Sequence, residues 1–257
     1  MSVARFPFWR VVPGDEAGEY ILPVMPPATT GPEGAPHVMG GVALGAAIDA
    51  LQLDSEMPVA MAQVQFLGAT HHAQELRITC EQCGGGQSIA QYGGTISANG
   101  RPTHRISAIL GERAPAAQTS FLTRPDVPSP DDSTPFAIEG RAAGGLVDQV
   151  ECRIAWQDEA RGALALWTRS RGEFAVDASW LGIVSDFFLA THPGAHGGSS
   201  LDATIRYITD APPGWVLSVT EFAAYTRGTV HGSARHFAEN GTLLAISSQT
   251  GALPRLG

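Results

Sequence analysis

Lysine is absent from the 257 residues, and all sixteen basic side chains are arginine. Chemistry that requires a lysine amine is thereby excluded, both Schiff-base formation and the phosphate-gripping lysine of a P-loop. Cysteine is scarce at three: Cys80, Cys83 and Cys152. The Cys-x-x-Cys at 80–83 has no second pair to complete four metal ligands, and Cys80 closes a strand-like run at 76–80. Reduced thiols and no metal are expected. No basic segment followed by an apolar run opens the chain, so no secretory signal is expected and the cytoplasm is the expected location. No apolar run is long enough to anchor the chain in a bilayer. No Gly-x-Ser-x-Gly elbow appears, which argues against a serine triad on an α/β-hydrolase fold. The formal net charge of −9 argues against nucleic acid or an anionic membrane surface as a partner.

What the chain does have is a buried-helix pattern beginning with two glycines. From Gly40-Gly41 to Leu53 only Asp49 and Gln52 interrupt the apolar and small residues. A helix that is apolar all round belongs in a core. Its glycines let another backbone or a ligand approach the N-terminus, where first-turn N–H groups lack intrahelical partners and the dipole is positive. The pattern has two readings, a glycine-eased helix contact and a seat for an oxygen that gains charge.

The second feature is an internal repeat. Asn99-Gly100 and Asn240-Gly241 are hairpin signals lying 141 residues apart, and neighbouring runs keep that offset. Gly41-Val42 match Gly182-Ile183, residues 63–67 match 204–208, 76–78 match 217–219, 88–89 match 229–230, and 95–97 match 236–238. Each unit therefore reads as strands, one buried helix, then four strands. In the first unit the strands are 6–12, 19–24, 60–68, 74–82, 87–98 and 102–111, with the helix at 39–53. In the second they are 147–156, 162–170, 200–209, 215–224, 228–239 and 243–251, with the helix at 179–190. The units span 1–112 and 136–257. Residues 113–135, rich in Pro, Ser and Asp, form a surface linker.

An antiparallel sheet wrapped round a long buried helix, twice over, is an α+β double hotdog. The chain resembles the TesB-like (type II) acyl-CoA thioesterases. The resemblance rests on 38–45 around Gly40-Gly41, on Ser200-Leu201-Asp202, on 245–251 with Gln249, and on a Pro-Asp-Val-Pro linker. The family often has Gln after the second glycine, where this chain has Val42. The resemblance implies hydrolysis of an acyl-CoA thioester by a carboxylate-activated water, with no covalent intermediate and no cofactor. It also implies assembly as a homodimer.

On this resemblance Asp202 is the expected base and Gln249 the group that orients the water. By alternation Asp202 shares a strand face with Thr204 and Arg206, opposite Leu201, Ala203, Ile205 and Tyr207. The family's hydroxyl residue falls near Phe222 or Ala223, so Thr226 fills that role with a small shift. Gly40 and Gly41 are the expected oxyanion donors. His37, just before the helix, is placed to touch a carbonyl or diphosphate. At the repeat offset Asp202 and Gln249 correspond to Met61 and Ala108, so one site per chain is expected. His192 and His196 have only loosely metal-like spacing. Two other readings stand beside the thioesterase. A hotdog dehydratase would need a His on the 39–53 helix, which has none. A non-catalytic acyl-CoA binding protein with a degenerate site is the alternative from another class.

Overall fold

The computed structural model describes residues 3–114, 119–137, 142–191 and 193–254. The first half contains β1 (Val12–Pro13), β2 (Glu19–Pro23), β3 (Thr29–Thr30), β4 (His37–Val38) and α1 (Gly40–Ser55). The long strands β5 (Val59–Phe66), β6 (Glu75–Gly85), β7 (Ile89–Ala98) and β8 (Arg101–Gly111) follow. The second half contains β9 (Thr134–Phe136), β10 (Val150–Asp158), β11 (Ala163–Ser170) and α2 (Ala178–Ser185). It ends with β12 (Ser199–Tyr207), β13 (Val216–Thr226), β14 (Thr229–Ala238) and β15 (Leu243–Ala252).

Thirteen strands form one antiparallel sheet in the order β1-β2-β6-β7-β8-β5-β12-β15-β14-β13-β11-β10-β9. The order is nearly palindromic about the β5–β12 seam, where Asp202 pairs with Gln65 and Arg206 with Met61. β6 and β13 are both eleven residues long and begin 141 residues apart. The fold is a double hotdog. The tight β7–β8 turn uses Asn99 and Gly100, with φ of 50° and 72°, as a two-residue hairpin turn requires.

The helices keep a different offset. Gly45 to Gly182 and Asp49 to Asp186 are each 137 apart, so four extra residues lie between helix and strand in the second unit. The helices pack antiparallel through these glycines. A Cβ on Gly41 would lie 2.7 Å from the Ile183 carbonyl oxygen, one on Gly45 2.8 Å from that of Ser179, and one on Gly182 2.9 Å from Ile48 Cδ1. Such spacing brings backbone against backbone, and it leaves α1 from Gly41 to Leu51 fully buried.

Three elements depart from the sequence reading, the first being β9, which forms at the end of the expected linker and pairs with β10. The expected strand at 6–12 reduces to Val12–Pro13, because the chain turns at Pro7, whose carbonyl accepts from Arg10 N–H. That turn drives Phe8 and Trp9 into the core, where Trp9 packs on Trp180 and Phe174. The guanidinium of Arg10 bridges Asp49 of α1 and Asp177, the N-cap of α2. The expected helix at 179–190 ends at Ser185. A 3-10 turn at Phe188–Thr191 follows, and Asp186 stands at the break.

The described part of the linker runs along the outer face of the second unit's half of the sheet, where Trp167 Nε1–H donates to the Pro128 carbonyl (3.0 Å). A cavity of about 360 Å³ lies beneath it, between Val127, Trp156, Val219 and Phe237. Among the described residues no helix is long and apolar enough to cross a membrane.

Candidate active site

The break in α2 creates the site. Asp186 is the first residue past the helix, and its carboxylate points at the N-terminus of α1. Met39, the N-cap of α1, offers no side-chain acceptor. Asp186 Oδ2 supplies one from the other unit, accepting from Gly41 N–H at 2.6 Å. The positive end of the α1 dipole therefore faces a carboxylate. On the other side, Oδ1 accepts from Ser200 Oγ–H (3.0 Å) and from Gln249 Nε2–H (2.8 Å), and Gln249 Nε2 also donates to Ser200 Oγ (2.8 Å). Asp186 is buried. Burial pushes its carboxyl above the usual range, opposed by the hydrogen bonds from Gln249, Ser200 and Gly41. Gln249 Oε1 is buried and has no hydrogen-bond partner among the described residues. It is an acceptor, beside a carboxylate, with capacity to hold a donor.

Ser200 reaches this cluster because β12 is irregular. Strict alternation would place Ser200 on the same face as Asp202. Against β15, Ser200 pairs with Gly251 and Asp202 with Thr250, so Leu201 is the extra residue of a bulge. The bulge turns Ser200 to the helix side and leaves Leu201 40% exposed. Bulges next to active sites commonly re-aim a side chain in this way.

The structure thus brings Gln249 and Gly41 together and pairs them with Asp186, not with Asp202. Asp202 lies opposite Thr250, on the other face of the sheet from Gln249, which lies opposite Ala203. Its Oδ1 accepts Thr250 N–H at 3.0 Å and pins the strands beside the bulge. That bond lies on the C-terminal side of the bulge that carries Ser200. Thr226 lies at the exposed end of the β13–β14 hairpin, where its carbonyl accepts from Thr229 Oγ1–H. The hydroxyl beside Gln249 belongs to Ser200. Gly40 sits at the site: a Cβ there would meet Phe66 Cε1 at 2.5 Å and Asp186 Oδ2 at 2.8 Å. Gly41 N–H is already bound to Asp186. His37 is half-buried on β4 and packs edge-on against His71, with ring centroids 5.3 Å apart. His192 lies outside the described residues, and His196 Nε2 contacts the Ala190 carbonyl (2.9 Å). Among the described residues no cluster of three or more His, Cys, Asp or Glu is arranged to hold a metal.

Asp186 and Ser200 were missed by the sequence reading. The available signal was a lone acid in a buried apolar run, repeated at Asp49 in α1. In the first unit that acid meets Arg10 and the Val11 N–H, and Ala108 stands at the repeat counterpart of Gln249.

Residues 122–253 match the family model of the acyl-CoA thioesterase C-terminal domain. No curated protein sequence matches the chain. Among solved structures, a candidate thioesterase from Novosphingobium aromaticivorans is 26% identical. The match covers 97% of this chain and 100% of that one, with a TM-score of 0.89. An acyl-CoA thioesterase II, TesB2, from Mycobacterium marinum is 16% identical over 99% of both chains, with a TM-score of 0.79. A hot dog-fold protein of unknown function from Alicyclobacillus acidocaldarius is 15% identical over 100% of both, with a TM-score of 0.81. The family match spans half of the chain and includes Ser200 and Gln249, and on it this thioester hydrolase belongs to the acyl-CoA thioesterase family.

Proposed function

We propose that the enzyme hydrolyses acyl-CoA thioesters with Asp186 as general base, acting on a water held between its carboxylate and Gln249 Oε1. The observation that carries this reading is the buried carboxylate with three donors of its own, lying beside a buried amide oxygen that has none among the described residues. The water donates one proton toward Asp186 and the other to Gln249, which aims its lone pair at the thioester carbon. Ser200 fixes both orienting groups. As the tetrahedral intermediate forms, its oxygen takes charge at the N-terminus of α1, where Gly40 N–H and the helix dipole stabilise it. The C–S bond then breaks, the CoA thiolate leaves and takes up a proton, and the free acid remains. No group of the enzyme becomes acylated.

The state of Asp186 sets the pH dependence. Its folded value is raised by burial, and only the ionised form accepts a proton. kcat/KM should therefore rise with pH as a single acid limb, with a midpoint above the ordinary aspartate value of about 3.9, and then level off. Release of CoA thiol from an acyl-CoA, followed colorimetrically across pH, measures this limb. A midpoint at or below the ordinary value would remove Asp186 from the role.

To this reading we add a cytoplasmic homodimer, the assembly in which a double hotdog covers its exposed sheet surface. A light-scattering mass equal to one chain at micromolar concentration would overturn the dimer.

A further inference from the structure

Around Gln249 the helix side of the second unit's half of the sheet is made of small residues. Its cross-strand neighbours are Ala203 and Gly232, and Ser247 and Gly251 lie two positions away along β15. A sheet face built this way is a trough unless another element fills it. Here the chain fills it with side chains that follow Asp186 directly. A methyl group on Gly232 would lie 2.7 Å from Phe188 Cε2, and one on Gly251 would lie 2.4 Å from Leu189 Cδ2. Phe188 also rests on Phe222, with ring centroids 4.6 Å apart, and Phe222 pairs across the strands with Gly232. An aromatic wall therefore stands one strand beyond Gln249 and two residues beyond Asp186.

From this packing, and resting on the assignment of Asp186 as base, we infer that Phe188 determines specificity by closing the acyl pocket, and that the enzyme takes short acyl groups. The thioester carbon must come within about 3–3.5 Å of the attacking water. On one side of that point stand α1 and Phe66. An acyl chain that instead follows the sheet face away from the carbonyl enters the trough and meets the Phe188 ring. The two glycines let Phe188 and Leu189 lie against the backbone. With the ring removed, the same glycines become the floor of a longer channel.

The test is kcat/KM across acetyl-, butanoyl-, octanoyl- and palmitoyl-CoA for the parent enzyme, Phe188→Ala and Phe188→Leu, with a melting curve for each. The parent should favour the shorter members. One methylene of pocket space is worth roughly 10- to 200-fold in discrimination. Phe188→Ala should raise the octanoyl-to-butanoyl ratio by about tenfold or more, and Phe188→Leu should fall between. The ratio is the informative readout, because loss of packing alone lowers all substrates together. If Phe188→Ala does not fold, Phe188→Leu carries the same sign. A parent that turns over palmitoyl-CoA as well as butanoyl-CoA, or a ratio unmoved in both variants, would overturn the wall. A shifted ratio combined with full activity in Asp186→Asn would keep the wall and remove the base.

Discussion

Asp186→Asn should give a folded protein that hydrolyses acyl-CoA on the order of 10²- to 10⁴-fold more slowly, with the loss in kcat. Asparagine keeps the size of aspartate and one acceptor oxygen, so the Ser200–Gln249 side of the cluster retains its partner. The amide nitrogen then faces Gly41 N–H, donor against donor, in place of the 2.6 Å bond. An unsatisfied buried donor costs about 1–3 kcal/mol. Part of that is offset because a buried carboxylate no longer has to ionise: its raised folded value means that ionisation above the unfolded value opposes folding. The melting temperature should therefore drop by only a few degrees. The acid limb of the pH profile should disappear along with the rate.

The control is Asp202→Asn. Asp202 touches the Thr250 N–H through one oxygen, and asparagine offers the same acceptor. This variant should keep close to the parent rate, whereas Asp202→Ala should slow the enzyme by loosening the bulge that presents Ser200. A parent rate in Asp186→Asn, with a collapse in Asp202→Asn, would restore the motif-based assignment and refute the structural one.

The two assignments differ because the sequence carries spacing well and local irregularity poorly. The 141-residue offset follows hydrogen-bonded strands, whose lengths are tied to their neighbours, and β6 and β13 obey it from first residue to last. Alternation correctly set Ala203 and Ile205 inward, since both are buried. It failed two residues earlier, at Leu201, because a bulge depends on which residue the partner strand leaves unpaired, and no local pattern encodes that. The helix failed for a similar reason. Ile183, Val184, Phe187, Phe188 and Leu189 read as one continuous apolar run, so Asp186 looked like an interior position. Its backbone instead leaves the helix there, with φ −83° and ψ 4°. Gln249 and the glycines entered the sequence reading through the family-like segments 245–251 and 38–45. The acid that joins them comes from the opposite helix, and the shift from 141 to 137 hides its partnership with Gly41.

Gly41 carries the other large expected effect. A methyl group there would lie 2.7 Å from the Ile183 carbonyl oxygen and 2.8 Å from Asp186 Cβ. Neither atom can rotate away, since one is helix backbone and the other is the first side-chain carbon of the proposed base. The two helices must separate. Overpacking of this kind costs about 1–3 kcal/mol, which in a chain of this size lowers the melting temperature by roughly 2–12 °C. The displacement falls on the Gly41 N–H···Asp186 bond and on the gap between Asp186 and Gln249. Misplacing a reacting group by about 1 Å can cost on the order of 10²-fold, so Gly41→Ala should lose roughly ten- to a hundredfold in kcat/KM. Gly68→Ala is the comparison, because nothing lies within 4 Å of a Cβ there, and it should change neither quantity. The double variant Gly41→Ala/Asp186→Asn should be little slower than Asp186→Asn alone, since the glycine acts through the carboxylate it holds. Multiplying rate losses in the double variant, or a parent melting temperature and rate in Gly41→Ala, would show that the helix junction does not set the position of the base.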